Sequence, residues 1–358
     1  MRLRLFLIFG LLVLATGPQP GHADYRLILP LQYNAYQPVS ARALGCGNNW
    51  ATQAGLGSVF ANPAALSGGP GISAELGSSS MSAFHSHGII ATGPSTVVPS
   101  TVIAGWGVRN NFLAFGARRA QSASLNFHNP LRPQAAERMK LGLNQLRGGW
   151  SIGITDLARL GIALGYDQAT IDWSDQSRQI VKTSTNSQNY ALGFAAEIWR
   201  GLSFGLFYAS KTNFSSSITF DYFDTIRMKG LIGAKPSVSG LGVRYQIDTG
   251  FVAAVQLELT GWQSVSDGYV GTMDWHVGLV IDAARWLTFR AGGYSLATPL
   301  DPYELERRPG LHDLYFLTAG AGGCYWRIYA DLGVATSYPF SGKGQNQNIV
   351  SFSLGYSQ

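Results

Sequence analysis

The chain has 358 residues, of which 46% are hydrophobic, 12% aromatic and only 13% charged, with 44 glycines and a formal net charge of +6. Soluble domains carry about 25% charged residues, so the charge is too sparse for an ordinary soluble enzyme, while a mean hydropathy near zero is too low for a bundle of membrane helices. Strands that are apolar on one face and small or polar on the other average to this middle value.

Met1-Arg2-Leu3-Arg4 is basic, Leu5 to Ala15 is apolar, and Gly21-His22-Ala23 puts small residues at −3 and −1 of a cut before Asp24. This pattern predicts a secretory signal peptide over 1–23, because the apolar run is too short to span a bilayer. Its removal takes away Arg2 and Arg4, so the mature charge is +6 − 2 = +4. No later stretch reaches the roughly 18 apolar residues of a membrane helix. Arg118-Arg119 and Arg307-Arg308 are isolated pairs, which read as loop or rim charges and not as a nucleic-acid footprint.

Residues 24–71 hold four prolines, many small residues and little alternation. They read as one irregular segment with a short helix near Trp50 to Val59. From residue 72 onward the period becomes two. Phe251, Ala253, Val255, Leu257 and Leu259 alternate with Ala254, Gln256, Glu258 and Thr260. Val350, Phe352, Leu354 and Tyr356 alternate with Ser351, Ser353 and Gly355. Such repetition is a strand signal. Short links at 109–111, 199–201, 248–250 and 284–285 force antiparallel neighbours. Long links are expected at about 120–145, 174–187, 210–236, 263–272, 295–312 and 338–347, with a short helix over Gln134 to Leu146. Alternating short and long connections predict a transmembrane antiparallel β-barrel of about fourteen strands over 72–358, closed so that no strand edge meets lipid. That assigns the chain to the bacterial outer membrane, with outer-membrane lipid as its surroundings.

Charged residues within strand runs, Glu197, Glu258, Asp282, Arg290 and Asp331, are expected to face the lumen or the rim, since lipid exposure would be costly. The two cysteines, Cys46 and Cys324, could pair in an oxidising compartment or serve as two separate small residues. His85-Ser86-His87 lacks a third ligand and reads as loop histidines, so no metal is implied. There is no Gly-x-Ser-x-Gly, His-Glu-x-x-His, Cys-x-x-Cys or phosphate loop, and His276 has no legible serine partner, so neither an enzyme nor a cofactor is indicated.

The run Ala54 to Leu66, with Asn62-Pro63-Ala64 before the first strand, resembles the start of the outer-membrane long-chain fatty-acid transporter superfamily, the FadL-like barrels. That superfamily includes transporters of fatty acids and aromatic hydrocarbons, and a PorV-like branch that shuttles proteins for a secretion system. The resemblance implies that residues 24–71 fold inside the barrel as a hatch, with Asn62 bracing a turn and Pro63 fixing its backbone angle. Tyr25, Tyr33, Tyr36, Trp50 and Phe60 would then line a greasy pocket or pack against the wall. The chain is short for the superfamily, which implies trimmed outer loops. The expected function is a plug-gated channel for small hydrophobic molecules. A docking component for secreted proteins or a structural membrane protein remain alternatives at this point.

Overall fold

The computed structural model describes residues 40–68, 70–85, 91–128, 136–174, 179–220, 226–265, 269–299, 313–340 and 345–357. The expected signal peptide, the tyrosines at 25, 33 and 36, and His87 lie outside the described residues.

Among the described residues, sixteen strands follow the N-terminal segment: β1 (Gly71–His85), β2 (Ala91–Val108), β3 (Asn111–His128), β4 (Ala136–Thr155), β5 (Ala158–Ser174), β6 (Gln179–Trp199), β7 (Leu202–Ala209), β8 (Thr212–Phe220), β9 (Ile226–Lys235), β10 (Val238–Asp248), β11 (Phe251–Thr260), β12 (Thr272–Ala284), β13 (Leu287–Leu296), β14 (Leu314–Tyr325), β15 (Ile328–Thr336) and β16 (Gln345–Ser357). Fourteen close into one antiparallel barrel. β7 pairs with β10, and β16 returns to β1; β8 and β9 form a separate two-stranded sheet. The fourteen-stranded barrel agrees with the strand count read from the alternation.

Side-chain alternation sorts the barrel into two faces. Leu76, Phe115, Leu164, Val255, Leu257, Leu332 and Phe352 point outward and are exposed, while their neighbours Glu75, Ala114, Ala163, Gln256, Asp331 and Ser353 are buried. Exposed apolar surface on this scale would not persist in water, whereas a bilayer would cover it. Trp199, Trp286, Tyr325 and Trp326 stand exposed at the short turns, where aromatic girdles sit in transmembrane barrels.

The tight links gather at one end of the cylinder and the longer connections at the other. Arg109 (φ +53) and Trp326 (φ +58) adopt left-handed backbone in two of these short turns, and the ladder shifts register beside others, as between Asp282 and Ala284.

Two expectations are corrected. Gln134 to Leu146 contains no helix among its described residues: Ala136–Thr155 is β4, paired along its length with β3 and β5. Helix-forming side chains lose here to a ladder that satisfies the backbone on both sides. A transmembrane strand needs about 9–11 residues, so β4 with 20 residues and β6 with 21 run well past the belt. The links near 120–145 and 174–187 are correspondingly shorter than expected, and 210–236 holds β8 and β9. The helix near Trp50 to Val59 is also displaced. The segment instead holds α1 (Ala41–Gly45) and 3-10 turns at Leu56–Phe60 and Pro63–Ala65. Gly47, at φ +66 just past the end of α1, turns the chain away.

Candidate functional site

The segment Ser40–Leu66 packs against inward faces of strands around the circumference. Its approach is close enough that several wall glycines have no room for a side chain. A Cβ on Gly161 would lie 2.2 Å from Ala64 N, and one on Gly205 would lie 2.2 Å from Ala51 O. Leu56, Val59, Phe60, Ala61 and Leu66 form a buried cluster with Ile103, Phe112 and Ala114 of β2 and β3. Leu44 joins a second cluster with Tyr294, Leu314, Phe316, Ala335 and Ile349.

Asn62-Pro63-Ala64 lies at the centre of this contact. Asn62 is fully buried. Its Oδ1 accepts from Ala64 N at 3.1 Å, and its Nδ2 donates to Ala51 O at 2.6 Å and Phe194 O at 3.4 Å. Pro63 opens the 3-10 turn, where its fixed φ is already suited and its missing N–H is not needed. One side chain thus caps its own turn, ties it to an earlier part of the segment and ties both to β6.

An irregular segment leaves backbone groups without ladder partners, and each buried orphan costs about 1–3 kcal/mol. The inner wall supplies the partners. Gln256 Oε1 accepts from both Trp50 N and Ala51 N, at 2.9 and 2.8 Å. Thr318 accepts from Gly47 N and donates to Gly45 O. Arg147 Nη1 donates to Phe60 O at 3.1 Å, Ser151 Oγ donates to Ala64 O, and His276 Nδ1 lies 3.0 Å from Gly47 O. Near the short-turn end, Asp331 pairs with Arg290 of the wall at 2.8 Å and with Arg42 of α1 at 3.0 Å. Burial acts to lower the Arg42 guanidinium, but the Asp331 carboxylate and its hydrogen bond outweigh that and raise it.

Two spaces flank the segment. The upper one, toward the long connections, is a cavity of about 110 Å³. Trp50, Phe60, Phe207 and Trp262 give it aromatic walls, Arg118, Arg147 and Lys235 line one side, and Glu258 and Asp274 line another. The lower space, toward the short turns, is lined by Arg42, Gln53, Glu75, Tyr329 and Asp331. Trp50 and Ala61 border both. Trp50 is held edge-on to Phe207 with 5.5 Å between ring centroids, and its Nε1 donates to Glu258 at 3.0 Å.

The wall itself is interrupted beside the upper cavity. β2 pairs with β3 at Thr92↔Leu125 and next at Thr101↔Arg118, so the ladder lapses between them. A cleft of about 500 Å³ lies there, lined by Ser100, Thr101, Arg118, Arg119, Gln145 and Leu146 among others. Arg118 borders both this cleft and the upper cavity.

Of the charged residues singled out in the sequence, Glu258, Arg290 and Asp331 turn inward and engage the segment or one another. Glu197 and Asp282 are exposed beside short turns, where Glu197 accepts from Gly201 N and Asp282 accepts from Thr288. Cys46 is buried and Cys324 exposed, and both are free thiols. Burial pushes the Cys46 thiol up to about 11. Arg118, read with Arg119 as a loop or rim charge, is instead a buried inward-facing residue within β3, where the strand runs on into the expected loop; Arg147, Gln256 and Thr318 were not singled out from the sequence. Their signal was a polar residue on the small-residue face of an apolar strand, as in Val255-Gln256-Leu257.

No protein-family model matches the sequence, and no characterised protein matches it by sequence. The solved structures do. The Ralstonia pickettii toluene transporter TbuX matches over 91% of this chain and 99% of its own, with a TM-score of 0.72 at 12% identity. A Pseudomonas aeruginosa FadL homologue matches over 90% and 100%, with a TM-score of 0.69 at 13% identity. The fold is that of the FadL-type barrels. The Pseudomonas putida toluene transporter TodX matches similarly, with a TM-score of 0.70 at 14% identity over 89% of this chain and 98% of its own. At such identities the FadL-type architecture is shared, while the side chains that line the cavity are this chain's own.

Proposed function

We propose that the chain is a bacterial outer-membrane channel for small hydrophobic molecules, exported by a signal peptide over 1–23, with residues 24–71 acting as a hatch inside the barrel. The observation that carries this reading is the aromatic cavity resting on the N-terminal segment, walled by Trp50, Phe60, Phe207 and Trp262. A concave apolar space with a few placed polar groups is what a small-molecule site looks like. Its volume of about 110 Å³ compares with the roughly 150 Å³ of an engineered apolar cavity that binds benzene. The solved structures of the same fold, described as toluene transporters and a monoaromatic hydrocarbon channel, support the same class of cargo.

In this reading the long connections face outward and the belt of leucines, valines and aromatics sits in lipid. Cargo leaves water at the upper cavity and travels down its own gradient. Two ways out adjoin that cavity: sideways through the lapse between β2 and β3, or downward past Trp50 and Ala61.

Uptake of a labelled monoaromatic hydrocarbon at low concentration tests the reading. Cells carrying the protein should accumulate it faster than cells lacking it. Ala209→Trp, which fills the cavity from its rim, should return uptake to background while the barrel still inserts. Equal uptake with and without the protein rejects the channel.

A further inference from the structure

One side of the upper cavity is built from carboxylates. Glu258 of β11 and Asp274 of β12 stand directly opposite each other in the ladder, and both line the cavity. Each takes its donors at one oxygen only. Asp274 Oδ1 accepts from Ser295 Oγ at 3.0 Å and from Ala297 N at 2.7 Å. Glu258 Oε2 accepts from Trp50 Nε1 at 3.0 Å and from Gln256 Nε2 at 3.3 Å. The second oxygens, Asp274 Oδ2 and Glu258 Oε1, accept from nothing among the described residues, and neither is a sealed atom. Both therefore open onto the cavity.

The neighbouring histidine does not supply the donor. His276 Nδ1 lies 3.0 Å from Gly47 O, a carbonyl that can only accept, so in the neutral ring Nδ1 carries the hydrogen. Its Nε2, 3.8 Å from Glu258 Oε2, is then a bare acceptor, buried and without a hydrogen-bond partner among the described residues. His276 is 4% exposed and Asp274 5%, so acceptors outnumber donors on a nearly dry surface. A carboxylate in low dielectric gains most from a donor that reaches it.

The rest of the cavity fixes what carries that donor. Trp50, Phe207 and Trp262 form aromatic walls, and Trp50 bonds the Glu258 carboxylate, so ring surface and acceptor adjoin. The volume compares with one that holds a single ring. Arg147 and Lys235 line the same cavity, and their charge disfavours an ammonium. A neutral hydroxyl meets no such repulsion.

We propose that the upper cavity selects a one-ring aromatic bearing a hydroxyl donor, a phenol, over hydrocarbons and ethers of the same size. This rests on the channel reading and names its substrate class. The hydroxyl donates to Asp274 Oδ2 or Glu258 Oε1, and the ring lies among the aromatic side chains. A site that bonds a hydroxyl rejects the analogue lacking it, because buried acceptors are then left unmet.

Calorimetric titration of the mature protein in detergent with phenol, anisole and toluene tests this. Anisole keeps the ring and the oxygen but has no proton to donate. A hydrogen bond to a charged group predicts phenol binding about tenfold or more tighter than anisole. Asp274→Asn replaces the acceptor with a donor: Ser295 and Ala297 still donate to the amide oxygen, so the amide N–H groups point into the cavity. There the ratio should fall to about twofold or less, and Glu258→Gln should act in the same direction. Anisole or toluene binding as tightly as phenol, a ratio unchanged in both variants, or no binding of any of the three overturns the proposal. If toluene binds and is taken up while phenol is not preferred, the donor preference fails and the channel reading survives. If phenol is preferred tenfold or more while uptake stays at background, the preference stands and the channel reading fails.

Discussion

Gly193 has no room for a side chain because Asn62 occupies the space: a Cβ there would lie 2.1 Å from Asn62 Oδ1. The small residue on the wall and the polar one on the segment are two halves of one contact. It lets Asn62 sit deep enough to bond Ala51 O and Phe194 O at once.

Asn62→Ala should loosen the N-terminal segment without opening the barrel. It orphans Ala64 N, Ala51 O and part of Phe194 O, and one such buried group costs about 1–3 kcal/mol. Cleavage within Ser40–Leu66 by a protease added to the detergent-solubilised protein should rise by roughly tenfold or more, while the strands stay protected. Unchanged protection would mean that the segment is held by its apolar clusters alone.

Much of this contact was legible in the sequence and much was not. Asn62-Pro63-Ala64 was readable because an Asn before a Pro has a small set of local uses, and capping a short turn is one of them. The strands at Phe251–Thr260 and Gln345–Ser357 were readable because lipid and lumen impose a strict period of two. Gln134 to Leu146 reads as a helix because leucine spacing and helix formers there mimic one, and only pairing on both sides reveals β4 from Ala136 onward. The lumen polar residues were half legible. Glu258, Arg290 and Asp331 stood out as charges in apolar strands, yet Gln256 and Thr318 looked like ordinary small-face residues. Their role comes from backbone groups about 200 and 270 positions earlier in the chain, which no local pattern encodes. Glu197 and Asp282 take the other position open to a charge in a barrel strand, the rim, where a short turn exposes them.

The Arg42–Asp331–Arg290 cluster should be asymmetric under mutation. Asp331→Asn leaves the buried Arg290 guanidinium without its counter-charge, which predicts a loss of about 3–5 kcal/mol. Arg42→Ala keeps the Asp331–Arg290 pair and removes a side chain that is 37% exposed, so it should cost about 1 kcal/mol or less. Guanidinium unfolding in detergent measures both. Equal losses would show that Arg42 and Arg290 hold Asp331 on the same footing.

The cysteines should behave as two unlike thiols. Thiolate is the reactive form, and a thiol pushed up to about 11 is ionised to roughly one part in a thousand at pH 8. Cys46 is also packed against Gly278, where a Cβ would lie 2.4 Å from its Sγ. A maleimide should therefore label Cys324 alone in the folded protein and both thiols after unfolding, with no reductant required. Failure to label either thiol without reductant would indicate a bridge and would contradict the placement of Cys46.

The two exits from the upper cavity make opposite demands on single residues. Ser100 lines the cleft where β2 leaves β3, so Ser100→Trp should obstruct a sideways route and leave the path past Trp50 intact. Trp50→Ala removes the ring that borders both spaces along the axis, together with its bond to Glu258, and should enlarge a downward route. Sideways exit predicts that Ser100→Trp abolishes uptake of the monoaromatic cargo and that Trp50→Ala changes it little. Downward exit predicts the reverse, with Trp50→Ala also admitting small polar solutes in a liposome-swelling assay. A sideways route keeps an apolar cargo out of water until it reaches lipid, and the hydrophobic term of about 25 cal/mol per Å² favours that destination.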